Sequence, residues 1–351
     1  MTVADAGLAK EDRFAESARK IRPPFRLDPD LCIYSPQENV DALDLPLVAE
    51  WLRFVAGEWE PTPVPGTTTR LALLLPCTKY KPYPTSREHR GINGALLAAG
   101  WQPAGGGSRD TDVPAELASV LDADEDPAVL DVSPLVRDGV VVDRFVISEP
   151  MALVPYEHVM WWRDGQSPAT SYDDPGLFES RGTSVSPWRD DCTAVPGSAG
   201  RWRWGPAERD AYVDVHDRLV AVLVEALGRL RDHYDGIAAW VAPGLTHRSF
   251  LADAELRRRE SLPASRRGAA GRRPLVGVGD HLPGVVEVLP TRDQLADARD
   301  RLAVRLEKEG RSSGPGSVRS VFARGDGHDT PLGLPEATDH LVAWLDVKAG
   351  S

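Results

Sequence analysis

The chain has 351 residues, with 41 Lys+Arg against 53 Asp+Glu, a formal net charge of −12, and 42% hydrophobic and 27% charged residues. This is ordinary globular composition, and the length supports one large domain or about two, with a core that needs no disulfide or metal to hold it. The acidic balance excludes a generally basic nucleic-acid coat protein, though not a local basic groove.

Apolar runs such as residues 71–75 fall far short of the ~20 residues that span a bilayer. The N-terminal stretch is charged and lacks the apolar core of a signal peptide. Three cysteines cannot build a disulfide framework. A reduced, cytoplasmic protein with no membrane partner is expected.

Residues 8–21 read as a helix in a polar arm that Pro23-Pro24 stops. Residues 41–55 place Leu43, Leu47, Val48, Trp51, Leu52 and Val55 at helical spacing. A Pro- and Thr-rich linker over 60–69 leads into the apolar run 71–75, which suits a parallel strand buried on both faces. A polar loop over 77–90 follows, then a helix over 93–99 closed by Gly100. Residues 128–132 and 140–147 read as strands from their β-branched content, and 148–155 as a loop. Residues 207–233 form the strongest helix, and 237–241 another strand.

Residues 254–273 hold seven arginines (Arg257, Arg258, Arg259, Arg266, Arg267, Arg272, Arg273). Like charges with few apolar anchors predict a flexible segment; a phosphate-contacting arm is the functional alternative. Helices over 295–307 and 338–347 complete the chain. Trp161, Trp162, Trp188, Trp202 and Trp204 fall between elements, where packing onto the core competes with stacking on a base. Strands alternating with helices predict a three-layer α/β fold with a mostly parallel sheet and 71–75, 140–147 and 237–241 as neighbouring strands.

The most informative stretch runs Pro76-Cys77-Thr78-Lys79-Tyr80-Lys81-Pro82-Tyr83-Pro84-Thr85-Ser86-Arg87-Glu88-His89. It leaves a buried strand, and ligands of open α/β sheets bind at strand carboxyl ends. Cationic neighbours favour the thiolate of a cysteine, the nucleophilic form, and Lys79, Lys81, Arg87 and His89 are candidates. A histidine can act as acid or base near neutral pH. Thr246-His247-Arg248 follows another strand end, so His247 can line the same crevice. No second cysteine lies at zinc-ligand spacing, so local spacing predicts no metal site.

The segment fits P-C-x3-K-P-Y-x2-S-x2-H through Pro76, Cys77, Lys81, Pro82, Tyr83, Ser86 and His89, and so resembles the core motif of the archaeosine synthase family, relatives of archaeal tRNA-guanine transglycosylase. Ser148-Glu149-Pro150-Met151-Ala152-Leu153-Val154-Pro155-Tyr156-Glu157 resembles that family's S-x-P-L-G-x-V-P-x-E segment, with Met151 and Ala152 in place of Leu and Gly. The resemblance covers about residues 71–251. It implies a uracil-DNA-glycosylase-like, doubly wound sheet and a transferase that joins an amine, such as that of lysine, to the nitrile of a 7-cyano-7-deazaguanine base. The base is free or carried in tRNA or another nucleic acid, and a radical-SAM enzyme or transglycosylase is a possible partner.

On that resemblance Cys77 is the nucleophile, His89 or Tyr83 delivers a proton, and Lys81 tunes the thiolate or orients the substrate, with Ser86 completing the catalytic set. Pro76, Lys79, Ser148, Glu149, Pro155, Glu157 and His247 are expected around the substrate, and no cofactor is required. Cys77, His89 and the 148–157 loop are expected to line one crevice. The organisation implied is an N-terminal arm and helical extension (1–69), an archaeosine-synthase-like α/β catalytic domain (70–252), the Arg-rich flexible segment (253–275) and a C-terminal extension (276–351). The alternative is a non-catalytic module that recognises a modified base, nucleic acid or partner protein.

Overall fold

The computed structural model describes residues 10–105, 112–174, 176, 177, 179, 184–197, 201–328 and 330–350. The first helix, α1 (Lys10–Ala18), matches the expected arm, whose residues 8 and 9 lie outside the described residues. The helix expected over 41–55 is two helices, α2 (Pro36–Leu43) and α3 (Pro46–Arg53). Pro46 has no N–H to continue α2, but its fixed φ suits the first turn of α3. Ser35 caps α2 by accepting the Glu38 amide at 3.2 Å.

The central strand β1 (Thr69–Pro76) is buried from Leu71 onward, as an apolar run with no polar face requires. Then come α4 (Arg87–Ala98), β2 (Gln102–Pro103), β3 (Leu135–Arg137), β4 (Val140–Ser148) and β5 (Ala152–Pro155). Two expectations fail here. Residues 127–130 form a 3-10 turn against α4, because the Asp126 side chain caps it and Pro127 starts it. The loop expected over 148–155 turns at Glu149–Met151 and returns as β5, antiparallel to β4.

The long helix α5 (Pro206–Leu230) leads to β6 (Gly236–Trp240), α6 (Thr246–Leu251) and α7 (Ala254–Glu260). The hairpin β7 (Ser265–Gly268) and β8 (Gly271–Pro274) follows, then β9 (Glu287–Leu289), α8 (Arg292–Lys308), α9 (Pro315–Ala323) and α10 (Pro335–Ala349). The Arg-rich segment is therefore folded, contrary to expectation. Asp253 caps α7, Arg257 is buried on the Ser249 carbonyl, and Arg273 reaches Asp214 of α5 at 2.8 Å. Acids on a distant helix neutralise the charges that looked unpaired in sequence.

The main sheet runs β9-β6-β1-β4-β3-β2, with β5 also paired to β4. The strands β9, β6, β1 and β4 are mutually parallel, so the three expected neighbours do lie side by side. Since β9 joins this sheet and α10 packs on α4, the region beyond residue 276 completes the α/β unit rather than extending it. From β1 the chain crosses by α4 to β4 on one side and later by α5 to β6 on the other. Right-handed crossovers in opposite directions place α4 and α5 on opposite faces of the sheet. In sheets of this kind that reversal marks the carboxyl end of β1 as the place where ligands bind.

Candidate active site

Three neighbouring strand ends deliver one cluster. Cys77 is one residue past β1, and its amide still donates to the Ile147 carbonyl at 3.0 Å. Glu149 is one residue past β4, and His247 lies in the first turn of α6, after β6. Cys77 Sγ is 3.3 Å from His247 Nε2, and the same nitrogen is 3.3 Å from Glu149 Oε2. Cys77 is half-buried while Glu149 and His247 are buried. Burial alone would push His247 down, but the sulfur and the carboxylate on its Nε2 side outweigh it and hold its proton affinity well above the ordinary value. His247 Nδ1 and Glu149 Oε1 are buried with no hydrogen-bond partner among the described residues.

A polar layer backs this cluster. The Tyr83 hydroxyl lies 2.7 Å from that of Tyr172 and donates to Ser148 Oγ at 3.2 Å. Lys81 Nζ is buried 4.2 Å from the Tyr172 ring centre and 4.0 Å from Asp173 Oδ1. Its pKa is lowered by burial, which the Asp173 and Cys77 charges only partly oppose. Asp173 Oδ2 is held by Ser17 at 2.6 Å and Lys20 at 2.5 Å. Burial, with the Glu149 charge, pushes Asp174 up to about 7. The N-terminal arm thus supplies part of the site's support.

Several expected residues take other roles. His89 is fully buried: Nε2 meets the Pro76 carbonyl at 2.9 Å and Nδ1 the Tyr156 hydroxyl at 3.0 Å. With both nitrogens engaged it has none to offer a substrate, and it fixes the backbone just before Cys77. Ser86 caps α4 by accepting the His89 amide at 3.2 Å. Tyr83 is buried and hydrogen-bonded within the layer, and its pKa is raised by desolvation, so it is not the proton donor expected.

Pro155 and Glu157 leave the crevice altogether. Since β5 runs back along β4, with Pro155 opposite Phe145, they lie roughly 10 Å toward the other end of the sheet. Glu157 Oε1 accepts the Trp59 indole N–H at 2.9 Å. Pro76 and Ser148 end their strands beside the cluster. Lys79 is exposed, 5.1 Å from the Tyr80 ring centre, in an open groove shared with Arg22, Arg87 and Arg90. Sequence reasoning missed Tyr172, Asp173 and Asp174, which sit in an irregular stretch with no periodic signal. The tryptophans pack: Trp204 is buried and donates to the Ser184 carbonyl, and Trp188 donates to Glu38.

Among the described residues no helix is long and apolar enough to cross a membrane. No protein-family model, curated protein or solved structure matches the chain.

Proposed function

We propose that the protein is a thiol-dependent transferase of the archaeosine synthase type, joining an amine to the nitrile carbon of a 7-cyano-7-deazaguanine base. The observation that carries this reading is the contact between the half-buried Cys77 sulfur and His247 Nε2 at a topological switch point of the sheet. A nucleophile within reach of a base that a third group orients is the general arrangement of covalent catalysis.

His247 takes the thiol proton as Cys77 Sγ bonds to the nitrile carbon. One C–N π pair moves to the nitrile nitrogen, which receives that proton, giving a neutral thioimidate. The amine then adds to the same carbon, the C–S bond breaks, and the amidine leaves as the sulfur recovers a proton through His247. Glu149 stabilises the imidazolium in each half-reaction. The contact with Cys77 supports His247, rather than His89 or Tyr83, as the group that carries these protons. The groove beside the loop is lined by Arg22, Lys79, Arg87 and Arg90 together with Glu116 and Asp122, and its excess of cations suits an acceptor that carries phosphate.

The test is intact-protein mass spectrometry after incubation with 7-cyano-7-deazaguanine. An adduct of the compound's full mass is expected, because addition to a nitrile expels nothing. Cys77→Ala should abolish it and Cys32→Ala should not. His247→Ala should slow its formation by roughly 10²–10⁴, the usual worth of a general acid or base. An adduct persisting in Cys77→Ala rejects the assigned nucleophile. Absence of any adduct in wild type, together with binding of the base, favours the non-catalytic module.

A further inference from the structure

We infer that Cys77, Glu149 and His247 form a three-ligand site for a zinc-class divalent cation with a fourth position open. Their ligand atoms all lie within 4.8 Å of one another. The decisive detail is that sulfur and carboxylate address the same imidazole nitrogen, each at 3.3 Å. In a Cys–His–acid relay the acid holds the other ring nitrogen, Nδ1, and here Nδ1 has no partner among the described residues. A single proton on Nε2 would have to be shared by two acceptors. A cation between the three groups takes one lone pair from each.

The two 3.3 Å separations at His247 Nε2 suit this, with sulfur and carboxylate within 4.8 Å of each other. Tetrahedral zinc with ordinary bond lengths to sulfur, nitrogen and oxygen sets neighbouring ligand atoms roughly 3.4–3.6 Å apart. A thiolate and a carboxylate bring two negative charges to balance a divalent ion. Glu149 is only 3% exposed and His247 4%, so the floor of the site is closed, and Glu149 Oε1 is buried there without a hydrogen-bond partner among the described residues. The half-buried Cys77 leaves one side open. A mixed Cys, His and carboxylate set with an open position is the pattern of accessible zinc sites rather than closed structural ones. Local cysteine spacing gave no hint of it, because the three ligands come from three different strand ends.

The consequence rests on the thiol chemistry proposed above. A sulfur bound to the cation shares a lone pair with it and loses nucleophilicity, so the metal-bound protein attacks a nitrile more slowly than the metal-free protein. Binding releases the thiol proton to solvent and changes no oxidation state.

The experiment uses the full chain freed of metal with a chelator. Titration with Co²⁺ should give a thiolate-to-metal charge-transfer band and the visible bands of tetrahedral cobalt. Dialysis against Zn²⁺ should leave one ion per chain and protect Cys77 from iodoacetamide. Cys77→Ser should lose the charge-transfer band, Glu149→Gln and His247→Ala should each weaken zinc binding at least ~10-fold, and Cys192→Ser should change nothing. Circular dichroism of each variant checks that it folds, and the charge-transfer band of wild type decides the question without any variant. No charge-transfer band in wild type, or zinc retained by the Cys77→Ser/His247→Ala double variant, overturns the inference. Zinc protection without a nitrile adduct in the metal-free protein rejects the proposed transferase and keeps the metal site. An adduct without zinc binding does the reverse.

Discussion

Two histidines show how placement decides chemistry. His247 has its Nε2 beside a carboxylate and the half-buried sulfur of Cys77, at the carboxyl ends of the strands. His89 lies within the expected motif yet is sealed between Pro76 and Tyr156. Sequence supplied both as candidates but gave the proton transfer to His89 and placed His247 only near the substrate, because a ring's partners are set by tertiary contacts. Ala152 makes a similar point for the backbone. It stands where the resembling family carries glycine, and its φ is +56°, in the left-handed region that costs an L-residue roughly 1 kcal/mol. Ala152→Gly relieves that strain but gives back some unfolded-state entropy, so it should raise the unfolding free energy from urea titration by a net ~0.5 kcal/mol. A clear loss of stability would show that the buried Ala152 methyl contributes more by packing than its conformation costs.

At the scale of elements, α6 holds its catalytic candidate only because its own arginine anchors it. The Arg248 guanidinium is fully buried, donating to the carbonyls of Val241 at 2.6 Å and Leu289 at 3.2 Å, and pairing with the Glu260 carboxylate at the end of α7. One residue thus ties α6 to the ends of β6 and β9 and to α7. Breaking a buried pair leaves an uncompensated charge, at a cost of about 3–5 kcal/mol. Glu260→Gln should therefore lower the unfolding free energy from urea titration by that amount and loosen His247, seen as altered iodoacetamide reactivity of Cys77. A drop below ~1 kcal/mol would mean that the carbonyls alone satisfy the guanidinium. Part of this region was readable beforehand. Asp210, Asp214 and Asp217 form one acidic row at helical spacing on α5, and the hairpin arginine Arg273 lies against it. Counting charges within 254–273 alone hid that complement, which is more than 35 residues away in sequence.

For the whole molecule, the central strands were legible because apolar runs buried on both faces have few other uses, and the switch point followed from their order. The edge strand β9 and the return strand β5 were not, since both are short and their pairing depends on neighbours distant in sequence or on a turn. Global stability should also carry the signature of His89. The Pro76 carbonyl can only accept, so Nε2 carries the proton and Nδ1 accepts from the Tyr156 hydroxyl, which in turn receives Asn93 Nδ2 at 3.1 Å. A second proton would break the Tyr156 bond and charge a buried ring beside Arg144. Burial accordingly lowers the His89 pKa to about 4, against about 6.5 in the unfolded chain. The unfolded state therefore takes up the proton first as pH falls. The stability tied to the neutral ring is complete above about pH 6.5, declines between about 6.5 and 4, and falls no further below that. At 1.36 kcal/mol per pH unit, this one group accounts for roughly 2 kcal/mol of loss by pH 5. Urea titrations of wild type and His89→Gln at pH 7.5 and pH 5 isolate it. The variant should be less stable at pH 7.5, and the gap should narrow by about 2 kcal/mol at pH 5. A gap that stays constant would mean that His89 is not held neutral by its burial.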